Sequence, residues 1–145
     1  MTAATDVLIL RVDTMGNELW RKLYGGPGNE QCKTAANTAD GGFLLAGFCP
    51  DSFGSIDGYI LRLDSAGNKL FETTYGSGQM DLADGIAERP DHTIAVVGTT
   101  KANRNYDMEF LLLDSTGTLL WDEVSADTLT SGAQSMCLLS DGRIL

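Results

Sequence analysis

The sequence predicts an all-β fold built from a repeated unit of short strands, and three recurring patterns are the reason. An Asp-x-x-Gly motif with an aromatic residue four positions after the Gly occurs three times, at 13–20, 64–71 and 114–121. An Asp followed by Gly or His keeps the same spacing, at Asp40, Asp91 and Asp141. A lone Gly follows each of the first two pairs, at Gly47 and Gly98. Self-similarity with a period of about 40–50 residues is typical of β-propeller blades.

Each repeat contains four predicted strands, numbered from the inside of a blade outwards. Short segments bounded by turn residues favour strands, and no segment has a convincing helical period. The first strands are 32–39, 82–89 and 133–139, and the second strands are 43–48, 94–99 and 143–145. The third strands are 7–12, 59–63 and 108–113, and the fourth strands are 18–24, 69–75 and 119–124.

The predicted strands divide the chain into β-propeller blades of four antiparallel strands, with two complete blades plus two half blades. The half blade 1–30 and the half blade 131–145 flank the blades 31–80 and 81–130. Three blades' worth is too little for a ring of 4–8 blades. We therefore expect either head-to-tail self-association, in which two copies form a six-bladed ring, or a segment of a longer propeller.

The Asp-x-x-Gly motifs are predicted to be hairpin turns. The Asp side chain accepts bonds from backbone N–H groups two residues on, and Gly adopts a positive φ without a steric penalty. The aromatic residues Trp20, Phe71 and Trp121 are expected to pack between neighbouring blades. Each turn supplies one carboxylate, whereas calcium needs several, so we predict no metal site.

The repeat resembles a known family. Residues 57–76 and 38–47 are similar to the repeats of bacterial and archaeal extracytoplasmic β-propeller proteins, D-x-W-L-x-K-L-D-x-x-G-x-x-x-W-x-x-x-Y-G-G and T-x-D-G-G-Y-x-L-A-G. The third copy departs from the pattern, since Ser125 and Ala126 replace Tyr-Gly. The resemblance implies a propeller architecture and a secreted or cell-surface location, and it implies no active site and no cofactor.

Composition excludes some partners. The net charge is −10, which disfavours binding to nucleic acid because a strongly acidic surface repels phosphates. No apolar stretch approaches the roughly 20 residues of a membrane span, and the chain shows no signal peptide. The three cysteines are expected to be free thiols. One alternative is a disulfide between Cys32 and Cys49, which face each other if the hairpin is centred on Asp40 and Gly41.

We expect a non-enzymatic scaffold or binding module, because the repeat is rich in turn formers and poor in catalytic groups. Loops on a rigid scaffold commonly carry function, so the candidate binding residues for a protein or glycan are Phe53, Arg104 and Tyr106. Two alternatives remain. One is a glycan hydrolase or lyase with acids near the propeller axis, where Lys33, Asp84 and Gln134 share one repeat position. The other is a purely structural spacer.

Overall fold

Ten strands make up the regular structure. The computed structural model describes residues 5–26, 28–51, 53–101, 105–125 and 130–145. The strands are β1 (Val7–Val12), β2 (Glu18–Tyr24), β3 (Gln31–Asn37), β4 (Phe43–Pro50), β5 (Ile56–Leu63), β6 (Lys69–Tyr75), β7 (Asp81–Glu88), β8 (Ile94–Thr100), β9 (Asp107–Leu113) and β10 (Leu119–Val124). No helix occurs among the described residues.

The strands form three antiparallel sheets. The first sheet contains β1 and β2, the second has the order β3-β4-β5-β6, and the third has the order β10-β9-β8-β7. In both four-stranded sheets, strands that follow each other in sequence are neighbours in space. A C-terminal hairpin (residues 137–145) follows, held by a bridge between Leu138 and Ile144. The expectation of an all-β, antiparallel fold is confirmed.

Several predicted strand boundaries are wrong. Of the predicted strands 133–139 and 143–145, only the single bridge within the C-terminal hairpin forms. The second and third strands of the second sheet are longer than predicted, because their pairing continues to Pro50 and Ile56. A tight turn beginning at Asp51, whose N–H donates to the Ser55 carbonyl at 2.8 Å, closes this longer hairpin.

The same three-residue hairpin loop closes most of the strand pairs. In the first sheet the Asp13 N–H donates to the Asn17 carbonyl at 2.9 Å, and the Gly16 N–H donates to the Asp13 carbonyl at 3.1 Å. The Asp13 carboxylate accepts the N–H groups of Met15 and Asn17 at 2.8 and 2.9 Å. Gly16 has φ +87°, which completes a type I turn with a left-handed residue. The predicted turn chemistry is therefore confirmed.

The turn length and a β-bulge together correct the predicted cysteine pairing. The register places Cys32 opposite Gly47, and it shifts between Cys32 and Thr34. The three-residue loop pairs Asn37 with Phe43, and this register alone would place Cys32 opposite Phe48. Lys33 is an extra residue in its strand, and it moves Cys32 one residue further from Cys49. Both cysteines are free; Cys32 is exposed and Cys49 is buried. The alternative of a disulfide is wrong in this structure.

Apolar side chains fill the space between neighbouring sheets, so both faces of the second sheet are buried. Toward the first sheet, Tyr24 packs against Leu45, Tyr59, Leu61 and Leu63. Toward the third sheet, a separate core cluster contains Leu44, Ala46, Ile60, Ala83, Ile86, Ile94, Val96, Leu111 and Leu113. The alternating faces of each strand therefore contribute to two different cores.

We expect His92→Gly to stabilise the protein. His92 has φ +64°, and it is the one described non-Gly residue in the left-handed region. The same turn position holds Gly41 and Gly142, with φ +80° and +82°. Because a Cβ is strained there and Gly is not, the free energy of unfolding should rise by about 0.5–1 kcal/mol. Urea denaturation measures the change.

His92→Ala is the control, because Ala removes the imidazole and keeps the Cβ. Equal stability of the Gly and Ala variants would show that the positive φ costs nothing at this turn.

Candidate ligand-binding face

The most exposed aromatic side chain sits on a rigid turn. Phe53 lies in the β4–β5 turn and is 96% exposed. The Asp51 carboxylate accepts the N–H groups of Phe53 and Ser55 at 2.7 and 2.8 Å. Gly54 completes the turn with φ +88°. The sequence Asp51-x-x-Gly54 is therefore a further copy of the Asp-x-x-Gly turn, placed at the opposite end of its sheet from Asp64.

A neighbouring loop fixes the position of this turn. The Ile56 N–H donates to the carbonyl of Gln79 at 3.2 Å, and the Ser55 hydroxyl donates to the same carbonyl. The Lys101 N–H donates to the carbonyl of Met80 at 2.8 Å. The loops β4–β5, β6–β7 and β8–β9 are thus joined by backbone bonds. We refer to their described residues 51, 53–56, 76–80, 101, 105 and 106 as the loop face.

A shallow hollow of about 280 Å³ lies in the loop face. Its lining residues are Gly54, Ser55, Ile56, Gln79, Met80 and Lys101. The Lys101 ammonium stands 5.4 Å from the centre of the Tyr106 ring, within the range of a cation–π contact. The hollow therefore lies between the turn that carries Phe53 and the loop that carries Tyr106.

The structure describes two of the three residues that the sequence predicts to bind a ligand. Phe53 and Tyr106 lie on the loop face, on adjacent sheets. Tyr106 is 36% exposed, and its carbonyl accepts the N–H of Ser131 at 2.7 Å, so its backbone is anchored. Arg104 lies outside the described residues.

The acid predicted near the axis is already paired. Asp84 is buried and forms an ion pair with Lys33, while its other oxygen accepts a bond from the Thr99 hydroxyl at 3.2 Å. Both Lys33 and Asp84 occupy bulge positions, on the edge strands β3 and β7 of the two four-stranded sheets. Gln134, at the third equivalent position, is exposed. Since its oxygens are taken up by these contacts, Asp84 is a poor candidate for an acid catalyst.

Asp81 also has a structural role. It is buried, and it accepts the Ser77 N–H at 2.7 Å together with the Thr100 hydroxyl. These bonds tie the β6–β7 loop to β8. The described residues contain no group of three His, Cys, Asp or Glu side chains that could hold a metal ion.

Sequence reasoning missed an unusual carboxyl group, Glu109 on β9. It lines a cleft of about 290 Å³ between the second and third sheets, together with Tyr75, Leu111 and Asp122. Burial raises the pKa of Glu109 to about 7, and the negative charges of Asp81 and Asp122 add to the effect. Its Oε2 atom is buried and has no hydrogen-bond partner among the described residues. The one signal in the sequence is an acid beside the apolar run 110–113.

Comparisons with protein-family models and with curated proteins returned no match. Within the described part of the chain, no helix has the length and apolar character needed to cross a membrane.

We expect the stability gained by Glu109→Gln to depend on pH. The Glu109 carboxyl has its ordinary pKa of 4.5 in the unfolded chain and a pKa of about 7 in the folded protein. The folded state therefore binds the proton more tightly. The penalty of the charged carboxyl is therefore absent below about pH 4.5 and complete above about pH 7. Gln removes this penalty. Its benefit should be larger by at least about 1 kcal/mol at about pH 8 than at about pH 4.

Urea denaturation at the two pH values measures the difference. Glu123→Gln on the neighbouring strand β10 is the control, because Glu123 is exposed. The interpretation of Glu109 fails if its substitution changes the free energy of unfolding equally at both pH values.

Proposed function

We propose that this chain is a non-enzymatic binding module of the β-propeller type, with a secreted or cell-surface location. Two observations support the architecture: the four-stranded meanders repeat with the sequence period, and the sheets pack face to face through apolar side chains. The resemblance of residues 57–76 to extracytoplasmic propeller repeats supports the location.

The exposed Phe53 on a rigid turn is the observation that carries the proposal of binding. A large apolar ring that contributes nothing to the core is a candidate anchor for a partner. It loses little conformational entropy on binding, because its backbone is already fixed and its side chain has few rotatable bonds. Around the adjacent hollow, Ser55, Gln79 and Lys101 provide hydrogen-bonding groups.

We favour a glycan as the ligand. Aromatic rings offer flat apolar surfaces to the C–H faces of a sugar, while the amide, hydroxyl and ammonium groups match sugar hydroxyls. A hollow of about 280 Å³ is small for a drug-sized ligand, which suits a chain end of one or two sugar units. A protein ligand is the alternative.

Glycan-array and peptide-display screening of the chain, followed by calorimetry on the hits, tests this proposal. We expect Phe53→Ala to weaken binding of the selected glycan at least about tenfold, since buried aromatic anchors dominate binding energies. Met15→Ala is the matched control. Met15 is also exposed and holds the same position in an Asp-x-x-Gly turn, but it lies at the opposite end of the sheets.

A glycan that binds the Phe53→Ala variant as well as the unchanged chain would place the site elsewhere. A folded chain that binds neither glycans nor peptides would favour the structural spacer.

A second candidate function is acid-assisted cleavage of a glycan, and Glu109 is the observation that favours it. A carboxyl group with a pKa near 7 holds its proton at the pH where a general acid is needed, and Asp122 lines the same cleft. Hydrolysis of chromogenic glycosides that is lost in Glu109→Gln and kept in Glu123→Gln would select this function. Absence of turnover would exclude it for the glycosides tried.

A further inference from the structure

One face of the first sheet lacks the cover that its repeat equivalent has. Leu8, Leu10 and Val12 on β1 are about half exposed. The sequence period relates them to Tyr59, Leu61 and Leu63 on β5. Those three side chains are almost completely buried, because the first sheet packs over them. The face of β1 is thus built like a surface that receives a neighbouring sheet.

The third sheet has the complementary open face. A groove of about 570 Å³ is lined by Phe110, Leu112, Trp121, Arg89 and residues 142–144. Trp121 is 48% exposed. Its equivalent in the second sheet, Phe71, is half-buried and packs against the core shared with the third sheet. The groove therefore has the chemistry of a sheet face that docks onto a following sheet.

The aromatic contacts show how such faces meet. A Cβ built on Gly67 would lie 3.0 Å from the Trp20 ring, and a Cβ built on Gly117 would lie 2.6 Å from the Phe71 ring. Each aromatic residue therefore packs on the turn glycine of the following sheet. Trp121 lies beside the open groove. Gly16, the turn glycine of the first sheet, has no atom of the part of the chain that the structure describes within 4 Å of its Cβ position.

We propose that the occupant of both faces is a second copy of this chain, so that two chains close into a ring through two identical junctions. In each junction Trp121 of one copy packs on Gly16 of the other, and the groove of one copy covers Leu10 of the other. The inference rests on the propeller architecture proposed above, and it is independent of the ligand of the loop face.

The unpaired edges of β1 and of residues 143–145 also favour a second copy as the partner. Within the described residues, β1 has a neighbouring strand on one edge only, and residues 143–145 pair on one side within the C-terminal hairpin. In the complete sheets Phe43 lies opposite Leu63, and Ile94 lies opposite Leu113. Ile144 and Val12 hold the equivalent positions in the repeat. If the same register forms between two copies, Ile144 of one copy lies opposite Val12 of the other. The first sheet would then gain its missing inner strands from the C-terminal hairpin.

The match between the two open faces favours a copy over an unrelated partner. A second copy brings both required faces, the apolar face of β1 and the groove of the third sheet, with the spacing of the repeat. A closed ring also removes the unpaired edges, which otherwise promote open-ended association.

Light scattering on a sizing column, over about a hundredfold range of concentration, tests the proposal. We expect a mass of twice the 15.5 kDa of one chain, with no larger species. Leu10→Lys should raise the dissociation constant at least about a hundredfold, because it places a charge at a buried position of the junction. Leu70→Lys is the matched control, since Leu70 is about as exposed as Leu10 and lies on β6 of the second sheet, whereas the proposed junctions use the first and third sheets.

A second variant separates loss of the junction from loss of the fold. Gly16→Ala should weaken the dimer, because the added Cβ would stand where Trp121 of the other copy packs. Gly54 has nearly the same φ and equally open surroundings, so Gly54→Ala should leave the dimer unchanged. Circular dichroism verifies that every variant is folded. A monomer at all concentrations, a series of growing oligomers, or a dimer that Leu10→Lys leaves intact would each overturn the proposal.

Discussion

The packing of an aromatic side chain on the glycine of the next Asp-x-x-Gly turn is the contact on which the rest of the structure depends. Gly67 receives Trp20 and Gly117 receives Phe71. At both positions φ is positive, at +76° and +87°, so the residue must suit a left-handed turn as well as a close contact. Glycine meets both conditions, which explains why the turn and the aromatic residue recur together with one spacing.

Polar contacts reinforce this junction between the first and second sheets. The Tyr24 hydroxyl donates to the Gly67 carbonyl at 2.5 Å, and the Lys22 ammonium donates to the Ala66 carbonyl at 2.9 Å. The turn at residues 64–68 is thus held by its own Asp and by the preceding sheet. Since the β4–β5 hairpin belongs to the same sheet, this rigid support extends to the opposite end, where Phe53 is displayed.

The repeat made much of the fold predictable from the sequence. Both the strand type and the turn type depend on local patterns, and β2, β6 and β10 begin and end at the predicted residues. The pairing of Cys32 was not predictable in this way. It depends on a bulge at Lys33, whose ion pair with Asp84 joins residues of two different sheets. A local pattern contains no information about such a partner.

The candidate site was predictable in part, for a similar reason. Phe53 and Tyr106 could be selected because they are aromatic residues in variable loops. The turn that fixes Phe53 was visible as Asp51-x-x-Gly54 but was interpreted as part of a loop, because it falls outside the main period. The pKa of Glu109 depends on burial between two sheets and on Asp81 and Asp122, so only the assembled structure reveals it.

The direct test of the aromatic–glycine packing is the stability of Gly117→Ala compared with that of Gly54→Ala, measured by urea denaturation. The two glycines have φ +87° and +88°. A Cβ on Gly117 meets Phe71 at 2.6 Å, whereas a Cβ on Gly54 meets no atom of the described residues within 4 Å. Both variants bear the same backbone strain, and only Gly117→Ala also crowds the sheet junction. We predict that Gly117→Ala lowers the free energy of unfolding by about 1–2 kcal/mol more than Gly54→Ala does. Equal losses would contradict the central role of this contact.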